Sequence, residues 1–135
     1  MTELVLEVGA ELPQLSKTIY QRALAEAAFA ADSIHNDSYT RGSGYPGALV
    51  SAYVLNGYMS EPLVRMFGAS WFATGRLALT FIGKGVQQGD QVMIGGQVTE
   101  VEPCQGGSRV SLEIWMDKVD GARPVVGRAS AVLAT

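Results

Sequence analysis

Residues 35–53 read HNDSYTRGSGYPGALVSAY, and with this run the chain passes from a polar loop into its most apolar helix. Gly42 and Gly44 break the first part. From Ala48 onward the residues Leu49, Ala52, Tyr53, Leu55, Asn56 and Met59 leave little polar surface at helical spacing, which predicts a core helix over 48–58, apolar nearly all round. Pro62 interrupts the pattern, and Ser60 two residues earlier is a good N-cap. A break is therefore expected there, with a restarted turn over 63–67 closed by Gly68.

Downstream of Trp71 the period changes from helical to alternating. Leu77, Leu79 and Phe81 fall on one face of a strand bounded by Gly75 and Gly83. Val92, Ile94, Val98 and Val101 carry a second, after a turn at Gly89 and Asp90. Val110, Leu112, Ile114 and Met116 carry a third, reached through Gly106 and Gly107; Val126, Ala129, Ala131 and Leu133 suit a fourth, reached through the hairpin signal Asp120-Gly121. Three tight connections in succession predict antiparallel neighbours. Upstream, 4–8 and 16–19 are short extended segments, and 20–31 is an alanine-rich helix with Leu24, Ala27, Ala28 and Ala31 on one face. The run 32–44 is a polar loop with room for a short helical turn from Asp37. No internal repeat is present. The order predicts an α+β fold: a single domain over 1–135 in which an antiparallel sheet curls around one long central helix.

Composition narrows the function. The 135 residues are 47% hydrophobic and 17% charged, enough for one core and too few for two. The net charge of −3 is spread along the chain without a basic stripe, so nucleic acid is not an expected partner. Cys104 is the only cysteine, which leaves no intrachain disulfide and no cysteine-based metal motif and fits a reducing cytoplasm. The start of the chain carries Glu3 and Glu7 and no signal-peptide pattern, and no apolar run is long enough to cross a bilayer.

His35 is the only histidine, set beside Asp32, Asn36 and Asp37. An imidazole titrates near neutrality, and a neighbouring carboxylate can hold its tautomer and raise its basicity. The plainer reading is a loop histidine with Asp37 as a helix N-cap. Gly42, Gly44, Gly47, Ala48, Ser51 and Ala52 let backbone approach something closely at the N-terminus of the core helix. There, N–H groups without a helical partner can receive an oxygen that gains negative charge. Alternatively, the small residues only let the helix sit tightly on the sheet.

Together, Ile34-His35-Asn36-Asp37, the run from Gly44 to Ala52, Trp71 with the strand from Gly75 to Phe81, and Gly89-Asp90-Gln91-Val92 resemble the MaoC-like acyl dehydratase and (R)-specific enoyl hydratase family. The resemblance covers most of the chain and implies a hot-dog fold, usually dimeric. It also implies reversible addition of water to a 2-enoyl thioester whose pantetheine arm, from coenzyme A or acyl carrier protein, enters beside the central helix. No cofactor beyond that arm and no metal is implied. In the family an Asp and a His hold one water, and amides at the helix N-terminus polarise the thioester carbonyl. The catalytic candidates so implied are His35, Asp32 and Asp37; those for substrate binding are Gly47, Ser51, Ala52 and Tyr53.

The sequence departs from the family at Ala30, where the family's run Asp-x-Asn-Pro-x-His-x-Asp places its catalytic aspartate; Asp32 falls on the asparagine and Ser33 on the proline. Either Asp32 swings into the missing carboxylate's place, or His35 works alone or with Asp37, or the domain binds acyl thioesters without hydrating them, as a scaffold subunit. Ser51 and Ala52 replace the family's His-Gly pair, a change that a backbone amide survives. A hot-dog thioesterase would need a carboxylate or water-activating group on the central helix, which offers only Asn56 and Glu61. Trp71, Phe72 and Phe81 are expected in the core or a pocket wall, and Tyr53, Tyr58 and Met59 on the buried side of the helix. Arg76, Lys84, Arg109 and Arg128 are expected on a solvated face.

Overall fold

The structure, a computed structural model, describes residues 7–20, 41–44 and 48–134. The elements in order are β1 (Leu15–Thr18), α1 (Ala52–Phe67), α2 (Ala69–Thr74), β2 (Arg76–Phe81), β3 (Gln91–Cys104), β4 (Gly107–Lys118) and β5 (Val125–Ala134). The predicted helix over 20–31, most of the segment 4–8 and most of the loop over 32–44 lie outside the described residues. The α+β expectation holds: one antiparallel sheet, ordered β1-β3-β4-β5-β2, packs against α1.

Alternation builds the sheet. In β4 the side chains of Val110, Leu112, Ile114 and Met116 are buried, while Glu113 between them is exposed. Opposite them stand Val101, Val98, Gly96 and Ile94 of β3 on one side and Ala131, Ala129, Gly127 and Val125 of β5 on the other. Because cross-strand partners share a face, this register gathers every apolar set toward α1. From the helix come Leu55, Met59, Pro62, Leu63 and Phe67. A bulge between Val98 and Glu100 shifts the register and leaves Glu100 and Glu102 exposed on the outer face.

Three expectations need correction. First, β2 does not neighbour β3: Arg76–Phe81 pairs with β5, from Arg76 opposite Ser130 to Phe81 opposite Val125. The run 82–90 is not a hairpin turn but a connection across the end of the sheet, and on its way it takes up the chain ahead of α1. Val50 N–H donates to the Val86 carbonyl at 2.8 Å, and Leu49 bridges Gln87. That pairing also explains why α1 starts at Ala52 rather than at Ala48.

Second, α1 does not break at Pro62. The ring removes one helical hydrogen bond, to the carbonyl four residues back, but Pro62 and Leu63 are buried against the sheet and hold the axis. Ser60 does not cap a new helix; its hydroxyl donates to the Asn56 carbonyl at 2.7 Å. The helix ends where expected, at Gly68, whose φ of 61° suits a residue without a side chain.

Third, α1 is buried on one side only. Tyr53 is 92% exposed, and Ala52, Asn56 and Gly57 are also exposed. Phe72 is 79% exposed and Phe81 44%, so neither is a core residue; Trp71 is half-buried and stacks on Phe67 with ring centroids 6.1 Å apart. Met59 is fully buried as expected, and the half-buried Tyr58 turns its hydroxyl to the Tyr20 main chain, accepting from N–H at 2.9 Å and donating to C=O at 3.2 Å. Beyond the start of β2, α2 takes over the free edge of β5. Ser70 Oγ donates to the Val132 carbonyl at 2.5 Å, and Thr74 Oγ1 accepts from Val132 N–H at 2.9 Å.

Candidate functional site

Of the predicted site residues, Ser51, Ala52 and Tyr53 are described. Asp32, His35, Asp37 and Gly47, together with Ala30, lie outside the described residues. What can be built upward is therefore the helix end that was expected to receive a carbonyl oxygen.

Ser51 sits in extended backbone, φ −67° and ψ 150°, and is the N-cap of α1. Its Oγ accepts from Val54 N–H at 3.4 Å, and its carbonyl accepts from Leu55 N–H at 3.1 Å. Helix geometry then leaves the N–H groups of Ala52 and Tyr53 without an intrahelical acceptor. No acidic side chain lies in the first turn to neutralise the positive end of the helix dipole. Both residues are exposed. The Tyr53 ring points away from the core, contrary to its expected place on the buried side of the helix.

Behind this end the structure is firm. Val50 is 7% exposed and bonded to Val86. Gly85 lies against the Leu49 side chain, and its φ of 71° is a backbone conformation that favours glycine. Sequence reading missed Val86, Gln87 and Lys118 as supports of the helix end. Gly83, taken only as a strand boundary, and Gly85, not singled out, were the available signal.

Farther along α1, Glu61 faces β1 rather than the helix end. Its carboxylate pairs with Lys17 Nζ at 2.7 Å and with Arg65 Nη2 at 3.1 Å. The Lys17 hydrogen bond, ahead of the charges of Lys17 and Arg65, holds the Glu61 carboxyl below the usual glutamate range. Asn56 is occupied as well, its Oδ1 accepting from Ser60 Oγ at 3.2 Å. Neither side chain is poised as a base at the N-terminus of the helix.

The solvated arginines are as expected in part. Arg76 and Arg128 are exposed, while Arg109 is half-buried with Nη1 donating to Ser130 Oγ at 3.2 Å. Lys84 is exposed and its Nζ donates to the Gly44 carbonyl at 3.4 Å. No helix among the described residues is long and apolar enough to cross a membrane.

The fold has close counterparts among solved structures. The (R)-hydratase from A. caviae involved in PHA biosynthesis superposes with a TM-score of 0.72 at 24% identity, covering 97% of this chain and 99% of that one. A chain of the ChsH1-ChsH2 complex from Mycobacterium tuberculosis gives 0.70 at 20% identity, over 96% and 99%. The MaoC-like dehydratase from Rhodospirillum rubrum gives 0.69 at 16% identity, over 96% and 93%. No family model and no curated protein matches the sequence. At these identities the likeness shows the fold, and the fold is the hot-dog expected from the sequence.

Proposed function

We propose that the protein is a hydro-lyase that adds water to, or removes it from, a 2-enoyl or 3-hydroxyacyl thioester of coenzyme A or an acyl carrier protein. The observation that carries this reading is the first turn of α1. It has two amides without intrahelical acceptors, no acidic residue, and an approach held by the Val50–Val86 hydrogen bond, on a fold shared with hydratases. In the proposed reaction the thioester carbonyl oxygen lies against the N–H groups of Ala52 and Tyr53, which stabilise the charge it gains. His35, with Asp32 or Asp37 beside it, takes a proton from water as the oxygen bonds to the β-carbon. A proton is delivered to the α-carbon in exchange, and dehydration runs the same steps backward. No cofactor beyond the pantetheine arm of the substrate takes part. Gly47 and Ser51 are proposed to let that arm pass close to the backbone.

A second copy belongs to this proposal. The edge strand β2 ends in the exposed apolar pair Phe81 and Ile82, which supports association there. A reducing cytoplasm suits the exposed free thiol of Cys104. A non-catalytic acyl-binding subunit is the second reading. It is favoured by Ala30 at the expected aspartate position and by a structural neighbour that comes from a two-protein complex. A thioesterase is disfavoured, because Glu61 is engaged by two cations away from the helix end.

The test is incubation with crotonyl-CoA and longer enoyl thioesters while following loss of the conjugated absorbance. His35→Ala is expected to cost roughly 10²–10⁴-fold in kcat, the usual contribution of a positioned acid–base group. Asp32→Asn is expected to cost nearly as much; unchanged activity would remove Asp32 from the site. If wild type fails with every chain length yet still binds acyl-CoA, the lyase reading is wrong and the binding-subunit reading stands.

A further inference from the structure

The turn at Gly89 and Asp90 was read in the sequence as a strand boundary and as part of the family resemblance, with no role for its side chain, yet its carboxylate is the centre of a half-buried polar cluster next to the helix end. Asp90 Oδ2 accepts from Lys118 Nζ at 3.0 Å and from Gln87 N–H at 2.9 Å. Lys118 Nζ also donates to Gln87 Oε1 at 3.1 Å, and Gln87 Nε2 donates to the Lys84 carbonyl at 2.9 Å. Asp90 N–H closes the loop on the Gln87 carbonyl at 3.2 Å. The Lys118 side chain is only 14% exposed. Charge-assisted bonds with so little competing water are stronger and more directional than those of a solvated pair.

The cluster is one step from the site. Gln87 bridges Leu49, Val86 holds Val50, and Val50 precedes the Ser51 cap. The other end of the turn is held independently by main chain: Gly89 N–H donates to the Ile19 carbonyl and Ile19 N–H to the Asp90 carbonyl, each at 2.8 Å. Losing Lys118 would thus leave Asp90 tied through Ile19 but take away the ion pair on Asp90 and the bond to Gln87 Oε1, and so loosen the end that touches the chain entering α1. From this asymmetry we propose that Lys118, Asp90 and Gln87 form a positioning network that fixes the N-terminus of α1 against the sheet, and with it the place where the thioester carbonyl is received. The three residues act through Val86 and Val50 and do not touch substrate. The part of this proposal that concerns the carbonyl rests on the lyase reading above; the part that concerns the helix end does not.

The experiment uses the full chain with Lys118→Met, Lys118→Arg and Asp90→Asn, read by amide hydrogen exchange and by steady-state hydration of crotonyl-CoA. Lys118→Met is expected to speed exchange at Val50 and Leu55 by about tenfold, the size of one lost hydrogen bond to a charged group, while Leu112 and Ile114 keep wild-type protection. Lys118→Arg should restore most of it, since a guanidinium still reaches both acceptors. Asp90→Asn should show the same pattern more weakly, and it carries the test alone if Lys118→Met does not fold. Because the carbonyl contact strengthens in the transition state, kcat should fall about tenfold with KM within about twofold. Unchanged exchange at Val50 and Leu55 overturns the network whatever the activity, as does a uniform rise that includes Leu112 and Ile114. Altered exchange with unaltered kcat overturns the link to the carbonyl. Altered exchange in a protein whose wild type hydrates nothing upholds the network and removes the lyase reading instead.

Discussion

The middle of β4 and the first turn of α1 are opposite kinds of structure. In β4 the four inward side chains from Val110 to Met116 are buried, and both neighbours pair along its length. In the first turn of α1, Ala52, Tyr53 and Asn56 are exposed, and two N–H groups have no helical acceptor. One region pairs nearly every main-chain group within its own sheet, and the other has donors that its own helix does not use. The difference implies that stability and chemistry can be altered separately here. A change in the sheet should move the unfolding midpoint and leave the turnover of folded molecules alone, while a change at the helix end should do the reverse.

The largest effect on that comparison is expected from Ile114→Ala. The side chain lies at the centre of the sheet, 1% exposed, with no neighbour able to collapse into the space it leaves without disturbing β3 or β5. A loss of about 2–5 kcal/mol is expected in urea unfolding, as for other buried Ile-to-Ala changes. The kcat of the molecules that remain folded should stay within about twofold of wild type, because the helix end is held by Val86 and Gln87 and not by a bond to Ile114. A fall in kcat as large as that of His35→Ala would show that sheet and helix end are mechanically one unit, and the contrast would fail.

The same contrast governs what the sequence could reveal. In the sheet a period of two recurs over long strands, so the inward sets of β3 and β4 were readable from their spacing. In β5 the reading placed Val126 with Ala129 and Ala131, although Val125 is the buried residue and Val126 stands opposite Trp115 on the other face. The place of β2 was not readable. Alternation gives a strand its face but not its neighbour, and the run 82–90 carries turn residues whether it makes a hairpin or crosses the sheet. Pro62 misled for a related reason: propensity argues for a break, and burial of Pro62 and Leu63 overrides it. At the helix end the small residues, Ser51 among them, were legible as a close approach, but Ser51 as the cap was not, because the apolar spacing carried the predicted helix back to Ala48. The outward turn of Tyr53 was not, because an aromatic ring within an apolar run reads as core until the sheet is seen to cover one side only. The supports Gln87, Asp90 and Lys118 are spread over the chain and meet only once the crossing connection is in place.

A smaller effect is expected at the cap. Ser51→Ala removes the Oγ acceptor of Val54 N–H, a long bond at 3.4 Å in a partly buried setting. The stability loss should therefore lie near the low end of the usual range for caps, about 0.5–1 kcal/mol, seen as a small shift in Tm. Since the Ala52 and Tyr53 amides are main chain, the lyase reading expects kcat to fall by less than about fivefold, an effect far below that of His35→Ala. A loss comparable to His35→Ala would give the Ser51 hydroxyl itself a chemical role and would blur the separation between a supporting residue and an acting one.

The smallest effect tests the tie between the two regions, the Lys17–Glu61 pair that joins the edge strand β1 to the middle of α1. Because Lys17 holds the Glu61 carboxyl below its ordinary value, the pair contributes stability above the glutamate pKa of the unfolded chain, about 4.3. That stability is lost as the pH falls through the lower folded value. Both side chains are close to one-third exposed, so solvent screens the pair and the contribution at neutral pH should be under about 1 kcal/mol. Lys17→Met should therefore lower stability slightly at pH 7, and the gap from wild type should narrow as the pH is taken below about 4 and Glu61 is protonated in both proteins. A gap that stays constant with pH would mean that the lysine stem contributes by packing on α1 and the charge does not. Arg65 would remain beside Glu61 in either case, so the variant should retain part of the acid sensitivity. That remainder separates the ion pair that ties β1 to α1 from the one contained within the helix.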